Sequence, residues 1–271
     1  MMTLSRYALG VAGCILTTLW LAGCGGSTTT SSEALQPSNP TNPNTPNNPT
    51  FPSANRTRLY QHGDEFVYTI SGVAQYLGQR YEVSGTQTDR VASVGAGVLR
   101  VHRDRRLTLR RGSQTLTDNR AIVFYLSQDR QSREVTLLGY ALDINAPMIN
   151  SNLPYRACVP GILNENSTFS FSANFEDGAS TTEAWQIGLI EPVSTYAGQY
   201  HCYRMRVESQ WDNPAPFPDT VATATCWFSP QLGVLTRSET LESGWRDGEP
   251  IEYRLTLLLR STNVRTQSSS L

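Results

Sequence analysis

The feature that most constrains the fold of this chain is an alternation of apolar and polar residues with a period of two. It is clearest in Phe169–Phe175 and in Tyr253–Arg260, and it also covers Phe66–Ile70. Successive side chains of a β-strand point to opposite faces, so each such segment buries one face and leaves the other in water. The alternation therefore predicts a mostly β protein.

Short turn signals separate the alternating segments. They are Gly112-Ser113, Gln128-Asp129, Asp177-Gly178 and Asp247-Gly248. Such pairs between alternating runs are typical of β-hairpins. They predict about a dozen antiparallel strands joined as a meander, in the form of a curved sheet, a half-barrel or a sandwich.

The alternating part of the chain has a uniform composition and is expected to form one antiparallel β domain from residue 56 to residue 265. A segment of about 210 residues can bury a core of its own, and β-rich domains of this size are often single. The polar residues 266–271 that follow are predicted to be a disordered tail.

The first residues have the features of an export signal rather than those of a folded element. A head with one positive charge, Arg6, precedes the apolar run Ala8–Leu19 and a group of small residues. This order is typical of a secretory signal peptide. The alternative, a retained transmembrane helix, needs about 20 apolar residues, which is more than this run supplies. Residues 1–23 are therefore predicted to be removed.

The tetrapeptide Leu21-Ala22-Gly23-Cys24 at the end of this segment resembles the lipobox of bacterial lipoproteins. The resemblance implies that Cys24 is acylated, with palmitate among its chains, and anchors the mature protein to a membrane of the cell envelope. Several acyl chains on one cysteine make a stable anchor, because each buried methylene contributes about 0.8 kcal/mol. In a Gram-negative host, Gly25 in place of aspartate implies sorting to the outer membrane.

A tether rich in Ser, Thr, Asn and Pro separates this cysteine from the β domain. Residues 24–55 contain almost no apolar side chains, and six prolines recur at about every third position between Pro37 and Pro52. Such a segment cannot bury enough surface to offset its conformational entropy, so it is predicted to be disordered. In the extended polyproline conformation, about 30 residues reach roughly 90 Å.

The absence of lysine excludes several chemistries. All 22 basic residues are arginine. The chain therefore has no P-loop, no Schiff-base lysine and no Ser-x-x-Lys nucleophile. Without Arg6, 21 arginines face 23 acidic residues, a formal charge of −2. This balance argues against nucleic acid as a partner, since nucleic-acid binding usually needs a basic excess.

Three cysteines lie beyond the predicted anchor, in what is expected to be an oxidising compartment. The predicted strands Gln199–Ser209 and Val221–Ser229 flank a proline-rich loop, and a hairpin symmetric about Pro214 places Cys202 opposite Cys226. Directly opposed residues are within disulfide range. The sequence thus predicts a Cys202–Cys226 disulfide, and pairing of Cys158 with either residue is the alternative.

The densest cluster of charge lies between residues 100 and 111. Its arginines are Arg100, Arg103, Arg105, Arg106, Arg110 and Arg111. The segment Val101–Leu107 is predicted to be a hairpin tip, and Arg103, Arg105 and Arg106 form a candidate site for an anionic ligand, because guanidinium groups match phosphate and carboxylate. The alternative is a charged sheet edge that opposes aggregation.

No other constellation in the sequence points to chemistry. His62, His102 and His201 are far apart and lack the spacing of a metal motif, and there is no Gly-x-Ser-x-Gly elbow. Carboxylate pairs such as Glu176 with Asp177 are interpreted as solvated charges. The sequence therefore predicts no catalytic residue, no metal ligand and no cofactor.

Two further segments resemble uncharacterised β-rich envelope lipoproteins of bacteria. An opening Gly-x-x-aromatic-x-Tyr strand is matched by Gly63–Tyr68, and an aromatic pair before a proline and a Gly-Val turn is matched by Trp227–Leu235. The resemblance implies a β-meander, in the manner of a curved half-barrel, and it brings no settled activity.

Three functions are compatible with these patterns. The first is a non-enzymatic, membrane-anchored module whose β domain binds a lipid, another hydrophobic ligand or an envelope protein, because a curved sheet must cover its apolar face. The residues expected to line that interior are Tyr68, Phe169, Phe171, Leu255, Leu257 and Leu259. The second is a structural or adhesive surface protein with a closed core, and the third is an envelope hydrolase that uses carboxylates.

Overall fold

The structure is a computed structural model that describes residues 55–93, 97–155, 157–213, 219–246 and 249–265. Within these ranges the chain forms thirteen β-strands and no helix. The strands are β1 (Glu65–Tyr76), β2 (Gln79–Ser93), β3 (Val98–Arg111), β4 (Gln114–Gln128), β5 (Val135–Ala141), β6 (Ile149–Asn150), β7 (Ala157–Val159), β8 (Thr168–Asn174), β9 (Ser180–Thr195), β10 (Gly198–Asp212), β11 (Thr220–Ser229), β12 (Val234–Arg246) and β13 (Glu249–Thr262).

All thirteen strands belong to one antiparallel sheet. Its order is β6-β5-β4-β3-β2-β1-β13-β12-β11-β10-β9-β8, and β7 also pairs with β5. Two meanders, one running from β1 to β5 and one from β8 to β13, are joined where the first strand pairs with the last. The prediction of a mostly β, meandering, curved sheet is therefore confirmed.

The sheet curls, and among the described residues its two outer edges meet without forming a continuous ladder. Ser151, just after β6, forms an isolated bridge with Phe175, just after β8. Beside it, the side-chain amide of Asn150 donates to Glu176 Oε2 at 2.7 Å. Three aromatic rings from both ends of the sheet pack behind this contact: Tyr140, Phe175 and Trp211.

The side chains that point into the curl form two apolar clusters. The larger one includes Phe66, Phe124 and Trp211, and the smaller one includes Tyr81, Leu109 and Tyr253. Five of the six residues predicted to line the interior are buried there, and Phe169 is partly buried against the larger cluster. The alternation in sequence thus assigns the inward face of these strands correctly.

Several predictions concern residues outside the described ranges. They are the signal peptide over 1–23, the lipidation of Cys24, almost all of the tether and the tail over 266–271. In the described part of the chain, no helix has the length and hydropathy needed to cross a membrane.

Candidate functional site

The three arginines predicted as an anionic-ligand site do not lie together. The segment predicted as a hairpin tip is the middle of β3, a strand of 14 residues. Because neighbouring residues of a strand face opposite ways, Arg103 and Arg105 point inward and are 1% and 2% exposed, whereas Arg106 points to solvent. Arg106 pairs with Asp104 on the outer face. The predicted hairpin tip is therefore wrong, and Arg103 and Arg105 belong to the interior.

A belt of charged side chains crosses the interior between the two apolar clusters. We define it by Asp89 on β2, Arg103 and Arg105 on β3, Asp118 and Arg120 on β4, and Glu242 on β12. On β3, Val101 before the two arginines lies in the larger cluster, and Leu107 after them lies in the smaller one. The interior is therefore apolar at both ends and ionic in the middle.

The first part of the charged belt is a bidentate ion pair between neighbouring strands. Asp89 lies directly opposite Arg103 in the ladder. Arg103 Nε donates to Asp89 Oδ1 at 2.8 Å and Arg103 Nη2 donates to Oδ2 at 3.0 Å. Burial raises the pKa of Asp89, and the charge of Arg103 opposes that shift. The positive charge of Arg103 and its two hydrogen bonds together stabilise the desolvated carboxylate of Asp89.

The second part of the charged belt joins strands that are not neighbours. Arg105 Nη1 donates to Glu242 Oε2 at 3.3 Å, although β3 and β12 are four places apart in the sheet. In a flat sheet this separation is about 19 Å at about 4.8 Å per strand. The contact therefore exists because the sheet curls until these strands face each other.

The remaining members of the charged belt also cross the interior. The Tyr253 hydroxyl of β13 donates to Asp118 Oδ2 of β4 at 2.7 Å, and Arg120 binds the same carboxylate. Burial alone would raise the pKa of Asp118, but Arg120 and the Tyr253 hydroxyl hold it below its usual range. Arg120 Nη1 also lies 3.8 Å from Glu242 Oε1. The charged belt thus connects β3 and β4 to β12 and β13 across the interior.

The sequence contains a signal for this belt in the odd and even positions of β3 rather than in a motif. Leu99, Val101, Leu107 and Leu109 occupy odd positions and face inward, and the two buried arginines of β3 occupy the odd positions between them. The parity of a strand therefore marks Arg103 and Arg105 as interior residues. Their acidic partners on β2 and β12 could not be identified in this way, because pairing across a curled sheet depends on the tertiary structure.

The predicted Cys202–Cys226 disulfide is not formed. In the β10–β11 hairpin Cys226 lies opposite Met205, three positions beyond Cys202, so the hairpin is not symmetric about Pro214 as assumed. Cys202 Sγ instead contacts the Thr236 hydroxyl at 3.1 Å, and Cys158 Sγ donates to the carbonyl of Val135. All three cysteines of the described ranges are free and buried, and burial raises the pKa of each thiol.

Glu183 on β9 is a second buried acid, apart from the charged belt. It lies opposite Phe171 in the β8–β9 ladder, and burial raises its pKa to about 8. None of the ion pairs among the described residues includes it. The charge of Glu183 is one of the causes that raise the pKa of the Cys158 and Cys226 thiols, after burial. Glu183 is therefore expected to be protonated at neutral pH.

The histidines and the carboxylate pairs are not brought together. His102 lies on β3 and His201 on β10, while His62 lies before β1. Glu176 accepts from Asn150, and its neighbour Asp177 accepts from the Tyr140 hydroxyl at 2.6 Å. In the part of the chain that the structure covers, no group of three or more His, Cys, Asp or Glu side chains is arranged to hold a metal ion.

An open cleft of about 600 Å³ lies near the start of the β domain, and we call it the arginine cleft. It is lined by residues 58–62 and 97–99 and by Gln128, Arg130 and Arg133. Its lining includes arginine and histidine side chains together with the apolar residues Leu59, Val98 and Leu99, and no acidic side chain lines it.

The segment that carries Arg58 is held in place from two sides. Tyr60 exchanges two hydrogen bonds with the side-chain amide of Gln128, at 2.7 and 3.0 Å. The Tyr60 hydroxyl donates to the carbonyl of Gly233 at 2.8 Å. Arg58 forms a bidentate pair with Asp64 at 2.7 and 2.9 Å. Residues 58–60 of the cleft lining are therefore held by hydrogen bonds, and Arg58 is neutralised by Asp64.

A tight turn after β4 supplies the other arginines of the cleft. Asp129 Oδ1 accepts from the backbone N–H groups of Gln131 and Ser132, both at 2.7 Å, and these bonds lower the pKa of Asp129. Arg133 has a φ of +69°, which is uncommon for a residue with a side chain. Gly161 packs against this turn so closely that a Cβ there would lie 1.6 Å from the Ser132 carbonyl oxygen.

A second open region on the outer face of β10–β13 has a different character. This groove of about 660 Å³ carries Arg206 and Arg254 together with Glu239, so its charges are of both signs. Arg206 and Arg254 each pair with an acid two residues away on the same strand. The arginine cleft differs because Arg130 and Arg133 form no ion pair with the residues that the structure describes.

The solved structures that this chain is similar to are described as exported proteins or lipoproteins, and the similarity is low. A candidate exported protein with a YmcC-like fold from Bacteroides fragilis is 13% identical, with a TM-score of 0.36 over 78% of this chain and 100% of that chain. A candidate lipoprotein from Parabacteroides distasonis is 16% identical, with a TM-score of 0.35 over 78% of this chain and 99% of that chain.

The hypothetical lipoprotein YmcC from Escherichia coli is 9% identical, with a TM-score of 0.28 over 73% of this chain and 89% of that chain. No protein-family model and no curated protein sequence matches this chain. At these TM-scores the likeness adds nothing about activity.

Proposed function

We propose that this chain is a lipid-anchored protein of the cell envelope whose β domain acts by binding rather than by catalysis. The observation that carries the proposal is the Leu21-Ala22-Gly23-Cys24 motif at the end of an export-type apolar run, about 40 residues before the first strand of a folded β sheet. The proline-rich tether lets the domain meet soluble or membrane-bound partners at a distance from the anchor.

The packing of the interior favours binding at the outer surface over carriage of a lipid inside the sheet. An apolar ligand needs a continuous apolar cavity, but ion pairs such as Arg105–Glu242 cross the interior of this sheet. Inserting a hydrocarbon chain there would separate charges that are already desolvated. This arrangement also favours the alternative of a surface protein with a closed core.

Lipidation is tested by metabolic labelling of the full chain with a palmitate analogue in a Gram-negative host. We expect label in the wild-type protein and complete loss of label in Cys24→Ser, because the thiol is the acylation site. Cys14→Ser is the matched control, because Cys14 lies inside the apolar run and is expected to be removed with the signal. Label that persists in Cys24→Ser, or a wild-type chain released in soluble form, contradicts the proposal.

Sorting is tested separately by fractionating the envelope on a density gradient. We expect the wild-type protein in outer-membrane fractions and Gly25→Asp in inner-membrane fractions, because aspartate after the acylated cysteine retains lipoproteins of Gram-negative bacteria. Gly26→Asp, one residue further along, is the positional control and should sort like the wild type. Equal distributions of wild type and Gly25→Asp would rule out this sorting signal.

A further inference from the structure

We propose that the arginine cleft binds a phosphate group carried on a small polar molecule or on a lipid head group, with Arg130 and Arg133 as the contacting cations. This inference deepens the proposed function by naming a class of ligand for the β domain. The inference rests on the proposed function only for the place where the ligand is met. The cleft itself is formed by described residues and does not involve Cys24.

The charge of the cleft selects an anion. Arg58 is already neutralised by Asp64, but Arg130 and Arg133 have no acidic partner among the described residues, and no acid lines the cleft. Guanidinium groups bind phosphate in a bidentate geometry, through charge-assisted hydrogen bonds that are roughly twice as strong as neutral ones. Two unpaired guanidinium groups on the wall of a cleft therefore favour phosphate over a neutral ligand.

The size and the apolar lining of the cleft indicate that the phosphate carries a substituent. The volume of about 600 Å³ is within the usual range for small-molecule sites and is much larger than a bare ion requires. Leu59, Val98 and Leu99 also line the cleft and offer apolar contact to a sugar ring or a glycerol backbone. A phosphate ester can place its phosphate on the arginines and its substituent against these apolar residues.

The backbone conformation of Arg133 is strained. A φ of +69° is unfavourable for arginine and suits glycine, yet the turn is clamped by Asp129 and by Gly161. Arg133→Gly is therefore expected to raise the urea midpoint of unfolding while it weakens phosphate binding. A residue with only a structural role would not show these opposite effects.

The test is calorimetric titration of the detergent-solubilised full chain at low salt with three probes: inorganic phosphate, glycerol 3-phosphate and dihexanoyl-phosphatidylglycerol below its micellar concentration. We expect at least one phosphate ester to bind, and Arg130→Gln/Arg133→Gln to weaken it at least tenfold. The matched control is Arg110→Gln/Arg111→Gln, which removes the same charge at the opposite end of β3 and should change affinity less than twofold.

The two ester probes distinguish the source of the phosphate. Tighter binding of glycerol 3-phosphate assigns a soluble ester, and tighter binding of the lipid analogue assigns a head group. Absence of binding by both esters, or equal weakening in the two double variants, overturns the proposal. If the Arg130→Gln/Arg133→Gln protein does not fold, Arg133→Gly provides the same readout. The labelling of Cys24 does not depend on phosphate binding, so absence of ester binding would not contradict the proposal that the chain is anchored by a lipid.

Discussion

Replacing Glu242 with leucine is expected to lower the free energy of unfolding by about 3–5 kcal/mol, because the change leaves a buried cation uncompensated. Glu242 is 1% exposed and lies 3.3 Å from the guanidinium of Arg105, which is 2% exposed. Leucine has a similar volume, so the loss reports the missing charge rather than a cavity. Urea unfolding of the full chain, followed by far-ultraviolet circular dichroism, measures the change.

Two further variants separate the ion pair from general effects on β12. Glu239→Leu removes an exposed acid three residues away, whose side chain is 48% exposed and pairs with Arg237, and should cost about 0–1 kcal/mol. The double variant Arg105→Met/Glu242→Leu should recover most of the stability, since an apolar pair replaces both charges. A double variant less stable than Glu242→Leu would refute the role assigned to this pair.

Glu183 is expected to make the protein less stable as the pH rises. Its pKa is about 8 in the folded chain, against 4.5 for an unperturbed carboxyl, so the folded state keeps a proton that the unfolded state releases. The contribution of this proton to the free energy of unfolding is fully present below pH 4.5 and is lost as the pH rises through about 8. At about 1.4 kcal/mol per pKa unit, the loss is roughly 3–5 kcal/mol.

Glu183→Gln isolates this effect, because glutamine stays neutral at every pH. We expect the variant and the wild type to have similar unfolding free energies at pH 4, and the variant to be more stable at pH 9 by roughly 3–5 kcal/mol. Glu208→Gln on β10 is the control, since its side chain is 59% exposed and faces solvent. A Glu183→Gln difference that stays constant from pH 4 to pH 9 would show that Glu183 is not buried as a neutral acid.

The alternation of residues was sufficient to predict the class of fold and the inward face of the alternating segments Phe66–Ile70, Phe169–Phe175 and Tyr253–Arg260. Phe171, Leu257 and Leu259 lie inward as their positions in the alternating runs require. Turn signals such as Gly112-Ser113 and Asp177-Gly178 separate β3 from β4 and β8 from β9, as expected. These features are local, because the two-residue period and the glycine turn depend only on adjacent backbone.

The lipidation signal is also local, and for the same reason it can be recognised without a structure. The motif ending in Cys24 is a short linear pattern that an export system meets before folding, so no tertiary contact is needed to define it. It stays a prediction until labelling tests it.

The tertiary structure decided the contacts that local patterns cannot specify. A shift of three positions in the β10–β11 hairpin separates Cys202 from Cys226, and the proline-rich loop between these strands gave no measure of that shift. Arg105 meets Glu242 across 137 positions of sequence because the sheet curls. The arginine cleft likewise joins Arg58 to Arg133 only after folding. The sequence by itself determined the β class of the fold and the inward face of the clearly alternating strands. Register and curl, which arise from the packing of the whole sheet, decided which charges meet.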